Sequence, residues 1–514
     1  MSSHQATDYQ DPRGRIGGGR PEEEPHIHVK EVGGQLVWSG TRTYAVGRRI
    51  LKAGGTVDDG AFAGWSWDGT CLRAYNDRYG IRPLYYFCRG EEIAISTSIL
   101  RLIAEGVPAQ LNYGGLAVFF RLGSFLGEDT PFRDIHALPP NAFFEWKNGI
   151  LSVTGGISRA KPQALSRTAA LDAYISLFRE AIRRRLPTAE NFVVPLSGGR
   201  DSRHILLELC KAGYRPKFCV TARYFPPGDT AAGEIEIARE VAAALDVQHV
   251  VVDQVSSRFA AEWRSNVETE FCSVDAQWSL AVADFLKGQV HDIYDGIGGD
   301  VLSAGLFLTR EGLELFEAGR LHELAQQLLG AEWSSRAFTT AARHHLDRKV
   351  AVSRVAEELR RHSDAVNPIG SFFFWNRTRR KIAMTPYRIL ARVGEVWSPY
   401  LDHEVFDLLS GLPAEVFLDH TFHTEAIHRA YPEHAAIPFA IKREQTTSDR
   451  APLRIFARAV LLQSLRHGRS ALYRRSYFIP RLLRCLVDPS YSDAINWLGP
   501  QILYALQLEE KSGR

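Results

Sequence analysis

The sequence predicts a protein of mixed α/β and α+β class, with an N-terminal antiparallel β sandwich, a doubly wound parallel sheet and a helical C-terminal part. From His26 to about residue 153, β-forming runs are interrupted by Gly, Asp and Asn every 8–12 residues or so, which is typical of antiparallel sheets. Beyond about residue 167, strands alternate with helices, which indicates right-handed βαβ units around a parallel sheet. The length of 514 residues allows about two or three domains.

The N-terminal elements are predicted from short runs rich in aromatic and β-branched residues. Residues 1–25 precede them and are polar, Gly-rich and acidic, so we expect a flexible tail there. Residues 155–166 have no periodicity and predict a linker. The expected domains are therefore residues 26–160 and 161–514. The predicted strands lie in QLVWSG, GAFAGWSWDG, TCLRAYNDRYG, PLYYFCRG, EIAISTS and NAFFEWKNGILSV.

The second domain begins with a helix, because Leu171, Tyr174, Ile175 and Phe178 share one helical face. The pattern is predominantly helical beyond about Phe259. Between these two regions the predicted order is strand FVVPL, helix HILLELCKAG with Gly213 at its end, strand KFCVTARY, helix EIEIAREVAAAL and strand HVVV.

Composition excludes several classes of protein. Lys and Arg total 62 against 59 Asp and Glu, and a net charge of +3 gives no general attraction to nucleic acid or membrane. Six cysteines without a CxxC pair exclude a disulfide framework and a zinc ribbon. No apolar run approaches the roughly 20 residues of a membrane span, and the N-terminus lacks the apolar core of a signal peptide. We therefore expect a soluble cytoplasmic protein with no nucleic-acid or membrane partner.

A glycine turn, SGGRDS at Ser197–Ser202, lies between the strand FVVPL and the helix that follows. Small residues there let backbone N–H groups approach phosphate oxygens, and the helix N-terminus adds a positive dipole. The hydroxyls of Ser197 and Ser202 add donors, and Asp201 is placed to hold a magnesium ion that bridges phosphates. The turn is neither a Walker A loop nor a Rossmann fingerprint.

This turn resembles the pyrophosphate loop of the ATP-pyrophosphatase superfamily, which includes asparagine synthetases, GMP synthetases and tRNA-modifying ligases. Those enzymes split ATP into AMP and pyrophosphate and form an adenylated substrate. The resemblance implies an adenine nucleotide α-hydrolase-like domain, ATP and Mg²⁺ as cofactors, and Val220 near the adenine. The implied nucleotide-binding residues of the turn are Leu196, Ser197, Gly198, Gly199, Asp201 and Ser202.

Three later segments resemble asparagine synthetases in particular. DGIGGD at residues 295–300 is similar to their Gly-x-Gly-x-Asp loop, which implies that Gly298 contacts nucleotide and that Asp300 is the second metal ligand. GEVWSPYLDH at residues 394–403 implies that Glu395 acts as base on the incoming nucleophile. IPFAIKREQTT at residues 437–447 implies that Lys442 neutralises charge on the α-phosphate and the tetrahedral intermediate.

The segment NDRYGIRPLYY, at residues 76–86, resembles the glutamine amidotransferase domain of asparagine synthetases, which implies a sandwich of Ntn-amidotransferase type. A working glutaminase of this type needs a cysteine directly after the initiator methionine. The chain begins Met1-Ser2-Ser3, and the region before GAFAGWSWDG shows no Asn-Gly-Glu segment for glutamine. We therefore expect a degenerate domain without glutaminase activity.

Without internal ammonia, the nucleophile comes from the substrate itself, as in β-lactam synthetases and lasso peptide cyclases (macrolactam synthetases). The length, the short N-terminal domain, the motif spacing and the Arg-rich C-terminus most resemble the lasso cyclases. This resemblance implies that a precursor peptide is cyclised between its N-terminal amine and an adenylated Asp or Glu, with a leader peptidase and a leader-binding protein as possible partners. An asparagine synthetase using ammonia or glutamine, or a β-lactam synthetase-like enzyme, is the alternative.

Two further classes fit the chain less well. An RNA-modifying ligase predicts a basic patch or a cysteine pair, and a non-enzymatic scaffold has no need of the acidic and basic residues above. The stretch SFFFWNRTRRK, at residues 371–381, is interpreted either as the lining of a peptide groove or as a solvated helix with buried aromatics. The C-terminal arginines, Arg474, Arg475, Arg481 and Arg484, are expected on solvated amphipathic helices.

Overall fold

The computed structural model describes residues 24–50, 59–223, 229–254, 257–274, 276–330, 336–440, 451–488, 491 and 493–513. The observed architecture confirms the predicted class: two antiparallel sheets are followed by a parallel sheet and a helical C-terminal part. Of the predicted tail, Glu24 and Pro25 are described, and Glu24 is bonded to Arg388 at 2.9 Å. In this part of the chain, no helix combines the length and apolar character needed to cross a bilayer.

The strands are β1 His26–Val32, β2 Gln35–Gly40, β3 Thr43–Ile50, β4 Asp59–Trp67, β5 Cys71–Asn76, β6 Tyr85–Arg89, β7 Glu92–Ser96, β8 His136–Ala137, β9 Phe143–Lys147, β10 Ile150–Thr154, β11 Phe192–Pro195, β12 Phe218–Ala222, β13 His249–Val252, β14 Asp292–Tyr294 and β15 Glu395–Trp397. The α-helices are α1 Ile99–Ala104, α2 Tyr113–Leu122, α3 Arg167–Arg183, α4 Asp201–Lys211, α5 Asp229–Ala244, α6 Arg258–Glu268, α7 Gln277–Leu286, α8 Gly299–Leu302, α9 Arg310–Glu317, α10 Leu321–Leu328, α11 Thr340–His345, α12 Arg348–Arg360, α13 Pro368–Phe373, α14 His403–Gly411, α15 Phe422–Ala430, α16 Ala451–His467, α17 Arg475–Val487 and α18 Asp493–Lys511.

The N-terminal sandwich consists of two five-stranded sheets with the orders β2-β1-β7-β6-β8 and β10-β9-β5-β4-β3. Inward-facing residues of both sheets form one apolar core, in which Trp65 and Trp146 are fully buried. Helix α1 packs on β6 and β7 of the first sheet, α2 packs against α12, and buried side chains of both helices join the core of the second domain. The outer face of the first sheet and these helices therefore share an apolar core with the second domain, and this core is separate from the one between the two sheets.

The parallel sheet has the order β13-β12-β11-β14-β15. Successive strands proceed from β11 in one direction as far as β13, and the chain then returns to place β14 on the other side of β11. In a doubly wound sheet, the loops after the two strands at such a reversal diverge and open a crevice at the carboxyl edge, where ligands bind. The reversal between β11 and β14 therefore indicates that the loops beginning at Leu196 and Asp295 border the ligand-binding crevice.

Two segments differ from the sequence-based expectation. The region around Glu395, which lies in the part of the chain predicted to be predominantly helical, supplies β15, and three residues are too short for any periodicity to reveal a strand. The aromatic stretch at 371–381 continues from α13 into a π-helix, Phe374–Ile382. Its aromatic residues are buried, and Arg379 donates to the carbonyl of Leu138 at 2.6 Å. The predicted burial of the aromatics is confirmed, whereas the prediction of solvated charges is wrong for Arg379 and Arg380, which are buried at the contact with the N-terminal domain.

A buried ion network joins the two domains. Arg185 bonds Asp59 of β4 at 2.9 Å and Asp402 at 2.7 Å, and the side chains of all three residues are at most 3% exposed. Burial has the largest single effect and raises the pKa of the Asp59 carboxyl, but the charges of Arg185 and His403 together with hydrogen bonds outweigh burial and lower this pKa to about 2. Because the folded-state pKa is lowered, Asp59 contributes stability above about pH 4, and the contribution is lost as the pH falls towards 2.

We expect Arg185→Met to lower the free energy of unfolding by about 3–5 kcal/mol, because it removes the cation between two buried carboxylates. Urea unfolding at pH 7 measures the effect. Arg183→Met is the matched control: Arg183 is 63% exposed, pairs with Glu180 at 3.4 Å, and its loss is expected to cost less than about 1 kcal/mol. Equal effects of the two substitutions would contradict a structural role for the buried network.

Candidate active site

The glycine turn lies at the carboxyl end of β11, as the sequence predicts. The N–H of Leu196 donates to the carbonyl of Val220 on β12 at 2.8 Å, which continues the sheet up to the turn. The Ser202 hydroxyl accepts from the Ser197 N–H at 3.1 Å, and the Ser197 hydroxyl accepts from the Gly199 N–H at 3.2 Å. These bonds fold residues 197–202 back on themselves at the N-terminus of α4, a geometry suited to an anion.

Asp201 and Asp300, predicted to share a metal, meet at the crevice between β11 and β14. The two residues are close enough for the charge and the backbone of Asp300 to act on the pKa of the Asp201 carboxyl. Desolvation, followed by the charge of Asp300, raises the pKa of Asp201 well above its usual range. The side chains are 25% and 38% exposed, so both carboxylates remain accessible to a ligand.

Glycines in the loop at 295–300 permit this close approach. A Cβ added at Gly299 would lie 2.6 Å from both Cγ and Oδ1 of Asp201 and 3.0 Å from Cζ of Tyr400. A Cβ added at Gly296 would lie 2.7 Å from Cβ of Asp201. Gly298, predicted to contact nucleotide, has φ +93° and precedes α8, a conformation that glycine adopts readily.

Three buried residues that sequence reasoning did not identify support Asp201. His423 of α15 is fully buried, and its Nδ1 lies 3.3 Å from Oδ1 of Asp201. Its ring also contacts the hydroxyls of Ser303 at 3.0 Å and Tyr400 at 3.2 Å. Burial lowers the pKa of His423 well below its usual range, so the ring is neutral and orients Asp201 without neutralising it. No motif or spacing in the sequence connects His423 with the glycine turn.

Asp300 is held from the opposite side by Arg377, which lies on the π-helix. The guanidinium donates to Oδ2 of Asp300 at 3.2 Å and lies 5.0 Å from the ring centroid of Phe307. Phe307 is 41% exposed and has φ +68°, an uncommon conformation for a residue with a Cβ. The exposed ring of Phe307 and the partly buried guanidinium of Arg377 therefore form a ledge beside Asp300.

The two carboxylates fit a magnesium ion that arrives with a nucleotide. Magnesium is commonly bound by one or two carboxylates together with substrate phosphates. A cation between Asp201 and Asp300 would offset the repulsion that now acts between them. Within the described ranges, no group of three or more His, Cys, Asp or Glu side chains is arranged to hold a metal, so the pair offers no complete protein cage.

The structure does not bring Glu395 into this group. Glu395 opens β15 in register with Asp292 and Phe192, at the amino edge of the sheet, whereas the glycine turn lies at the carboxyl edge. Its carboxylate accepts from Arg82 of the N-terminal domain at 2.8 Å and lies 3.9 Å from Nε of Arg48. The role of base for Glu395 stays a prediction.

Lys442 lies outside the described residues. The described chain before it ends at Ala440, whose N–H donates to the carbonyl of Gly198 at 2.8 Å. A Cβ added at Gly198 would lie 2.7 Å from Cβ of Ala440, so the glycine is needed for this contact. The segment leading to Lys442 thus packs directly on the glycine turn.

Comparison with known protein families gives a match for each of the two domains. Residues 173–478, more than half of the chain, match the family model described as asparagine synthase. The chain belongs to the asparagine synthase family. Residues 55–155 match the model of a glutamine amidotransferase domain, so both domains of this family member are accounted for. Membership supports an ATP-dependent ligase activity. Asparagine synthases use ATP, usually with Mg²⁺.

Comparisons with individual proteins add little to this placement. A comparison with curated proteins yields no match. Among solved structures, the chain is similar to glutamine phosphoribosylpyrophosphate amidotransferase from B. subtilis complexed with ADP and GMP, at 11% identity and a TM-score of 0.15 over 39% of this chain and 49% of that one. It is also similar to a structure described as the allosteric regulatory enzyme of purine biosynthesis, at 13% identity and a TM-score of 0.14 over 40% and 44% of the two chains. The chain thus spans about half the length of these structures, and neither likeness carries an argument about function.

Proposed function

We propose that this asparagine synthase family member is an ATP-dependent, AMP-forming ligase that closes a macrolactam ring in a peptide, as lasso peptide cyclases do. The observation that carries the ligase part is the meeting of Asp201 and Asp300 beside the glycine turn at the sheet reversal. A carboxylate oxygen of the peptide attacks the α-phosphorus of ATP, the bond to the β-phosphate oxygen breaks, and pyrophosphate leaves. The peptide's N-terminal amine then attacks the acyl carbon, AMP leaves, and a base takes the amine proton.

The residues of the crevice divide this work. The backbone N–H groups and hydroxyls of residues 197–202 would bind the departing pyrophosphate, with the N-terminus of α4 behind them. Asp201 and Asp300 would hold Mg²⁺, which supplies charge stabilisation to the phosphates when bound. Neutral His423 orients Asp201, and Arg377 orients Asp300. The ledge formed by Phe307 and Arg377 beside Asp300 would contact the acyl substrate.

The state of the cysteines in the N-terminal domain supports an amine nucleophile that comes from the substrate. The described part of this domain contains Cys71 in β5 and Cys88 in β6. Burial raises the pKa of both thiols, so neither is an activated thiolate. Neither of these two described cysteines is thus activated to release ammonia from glutamine.

A test uses the full chain with ATP, Mg²⁺ and a panel of synthetic peptides, each with a free N-terminal amine and one internal Asp or Glu. We expect peptide-dependent exchange of labelled pyrophosphate into ATP, release of AMP, and a product that has lost one water and its free amine. The same peptide with an acetylated N-terminus is the control and should support exchange without ring closure. Release of ADP and phosphate would contradict the adenylation mechanism.

The second candidate is an asparagine synthetase that uses ammonia, which the asparagine synthase match favours. Aspartate, ATP and ammonium would then yield asparagine and AMP, whereas the macrocyclase is expected to be inert toward free aspartate. A β-lactam synthetase-like enzyme would instead cyclise a small amino acid derivative. In the macrocyclase proposal, the partners are the precursor peptide, a leader peptidase and a leader-binding protein.

A further inference from the structure

A strongly basic region lies at the C-terminal end of the residues that match the asparagine synthase family and extends beyond them. Residues 451–487 contain eight arginines and no Asp or Glu, a formal charge of +8 within a chain whose net charge is +3. This region forms α16 and α17, which pack against each other. The near-neutral total therefore conceals a local excess of positive charge. The eight arginines are Arg454, Arg458, Arg466, Arg469, Arg474, Arg475, Arg481 and Arg484.

The same two helices expose aliphatic side chains. Five of the thirteen exposed large hydrophobic residues in the described chain lie on them, which is far more than an even distribution would place there. Along α16 the exposed positions recur at helical spacing, so they form one stripe opposite the buried face. A second stripe follows α17. The exposed aliphatic residues are Ile455 (65%), Leu462 (45%), Leu465 (50%), Leu483 (49%) and Val487 (79%).

Only some of these arginines have an ion pair or a cation–π contact within the described part of the protein. Arg484 pairs with Asp488 at 3.1 Å, and Arg481 lies 3.6 Å from the ring centroid of Tyr477. The nearby acidic residues of α18, Glu509 and Glu510, contact His467. Among the described residues, Arg484 is the only one of the eight with an ion pair to a carboxylate, and Arg458, Arg466 and Arg469 are exposed.

We propose that the outward faces of α16 and α17 bind the surface of an anionic phospholipid bilayer. Arginines near such a surface are attracted to its lipid phosphates, and aliphatic side chains between them enter the boundary between headgroups and acyl chains. A nucleic acid would use the arginines but offer the aliphatic side chains no partner. Protein interfaces anchor on Trp, Tyr and Arg in pockets, and Leu and Val are under-represented among such anchors.

Sedimentation of the full chain with vesicles tests this proposal. We expect binding to vesicles of phosphatidylcholine mixed with phosphatidylglycerol, at least about 10-fold weaker binding to phosphatidylcholine alone, and a decline with rising salt. The variants Arg458→Glu/Arg466→Glu and Leu462→Ser/Val487→Ser should each weaken binding at least about 10-fold. Their side chains are exposed, so the fold is expected to persist, which circular dichroism checks.

Matched controls lie on the N-terminal sheets. Val32→Ser replaces a valine that is 56% exposed on β1, and Arg89→Glu replaces an arginine that is 61% exposed on β6. Both should bind vesicles as the unmodified chain does. Equal binding to neutral and anionic vesicles, or unchanged binding by the α16 and α17 variants, would overturn the proposal. Binding of RNA or of an acidic protein through these helices, without binding to vesicles, would overturn it as well.

Discussion

Asp201→Asn and Asp300→Asn are each expected to lower ATP–pyrophosphate exchange at least about 100-fold. Each change keeps the shape of the side chain but removes one of the two charges that would hold the metal beside the phosphates. Loss of a single preorganised electrostatic contact at a reacting centre typically costs about 100- to 1,000-fold in rate. The measurement is exchange of labelled pyrophosphate into ATP in the presence of the peptide substrate.

Stability separates this effect from misfolding. The two carboxylates repel each other in the unliganded protein, so removing one charge should leave the thermal midpoint unchanged or raise it. Asp172→Asn is the control, because Asp172 on α3 is 55% exposed and pairs with Arg429 at 2.7 Å, away from the crevice. Full exchange activity in either Asp201→Asn or Asp300→Asn would show that the pair does not serve the nucleotide.

Gly299→Ala is expected to lower the activity by a similarly large factor and also to lower the stability. The added methyl group would lie 2.6 Å from Cγ of Asp201, and because Tyr400 is buried behind the glycine, the Asp201 carboxylate must move. Overpacking of this kind costs about 1–3 kcal/mol of stability. A displacement of about 1 Å at a reacting centre costs about 100-fold in rate.

Gly233→Ala provides the matched control on α5. A Cβ at Gly233 meets no atom within 4 Å, and its φ is not in the left-handed region. Alanine in a helix interior is favoured over glycine by about 0.5–1 kcal/mol, so this variant should be slightly more stable and fully active. Pyrophosphate exchange and urea unfolding are measured on both variants. An active Gly299→Ala enzyme would mean that the position of Asp201 is not critical.

The fold class could be predicted from the sequence because the patterns that indicate it lie within short segments of the chain. The helical period around Leu171 predicted α3, the alternation of strands and helices predicted the parallel sheet, and both are observed. The proximity of Asp201 and Asp300 was also predictable, since loops at the carboxyl ends of parallel strands share one edge. A three-residue strand such as β15 carries no such signal, because its pairing depends on a neighbour about a hundred residues away.

The residues that support Asp201 and Asp300 could not be predicted from the sequence, for a different reason. His423 contacts Asp201 through packing of α15 against the core, and a single buried histidine gives no pattern in a sequence. Arg377 belonged to a stretch that sequence alone interpreted as a groove or a solvated helix. Its true partner, Asp300, is defined only once the π-helix is in place. Tertiary contacts of this kind have no spacing rule.

The ion network of Arg185 has a consequence for anyone who would divide this chain. Separating the sandwich from the parallel sheet would leave Asp59 on one fragment and Arg185 with Asp402 on the other. These buried charges would become exposed to water, and the ion pair between Asp59 and Arg185 would be lost. The N-terminal domain therefore contributes to the stability of the synthase domain whether or not it keeps any chemistry. A chimera built with a foreign sandwich would have to bring its own acidic residue at the position of Asp59.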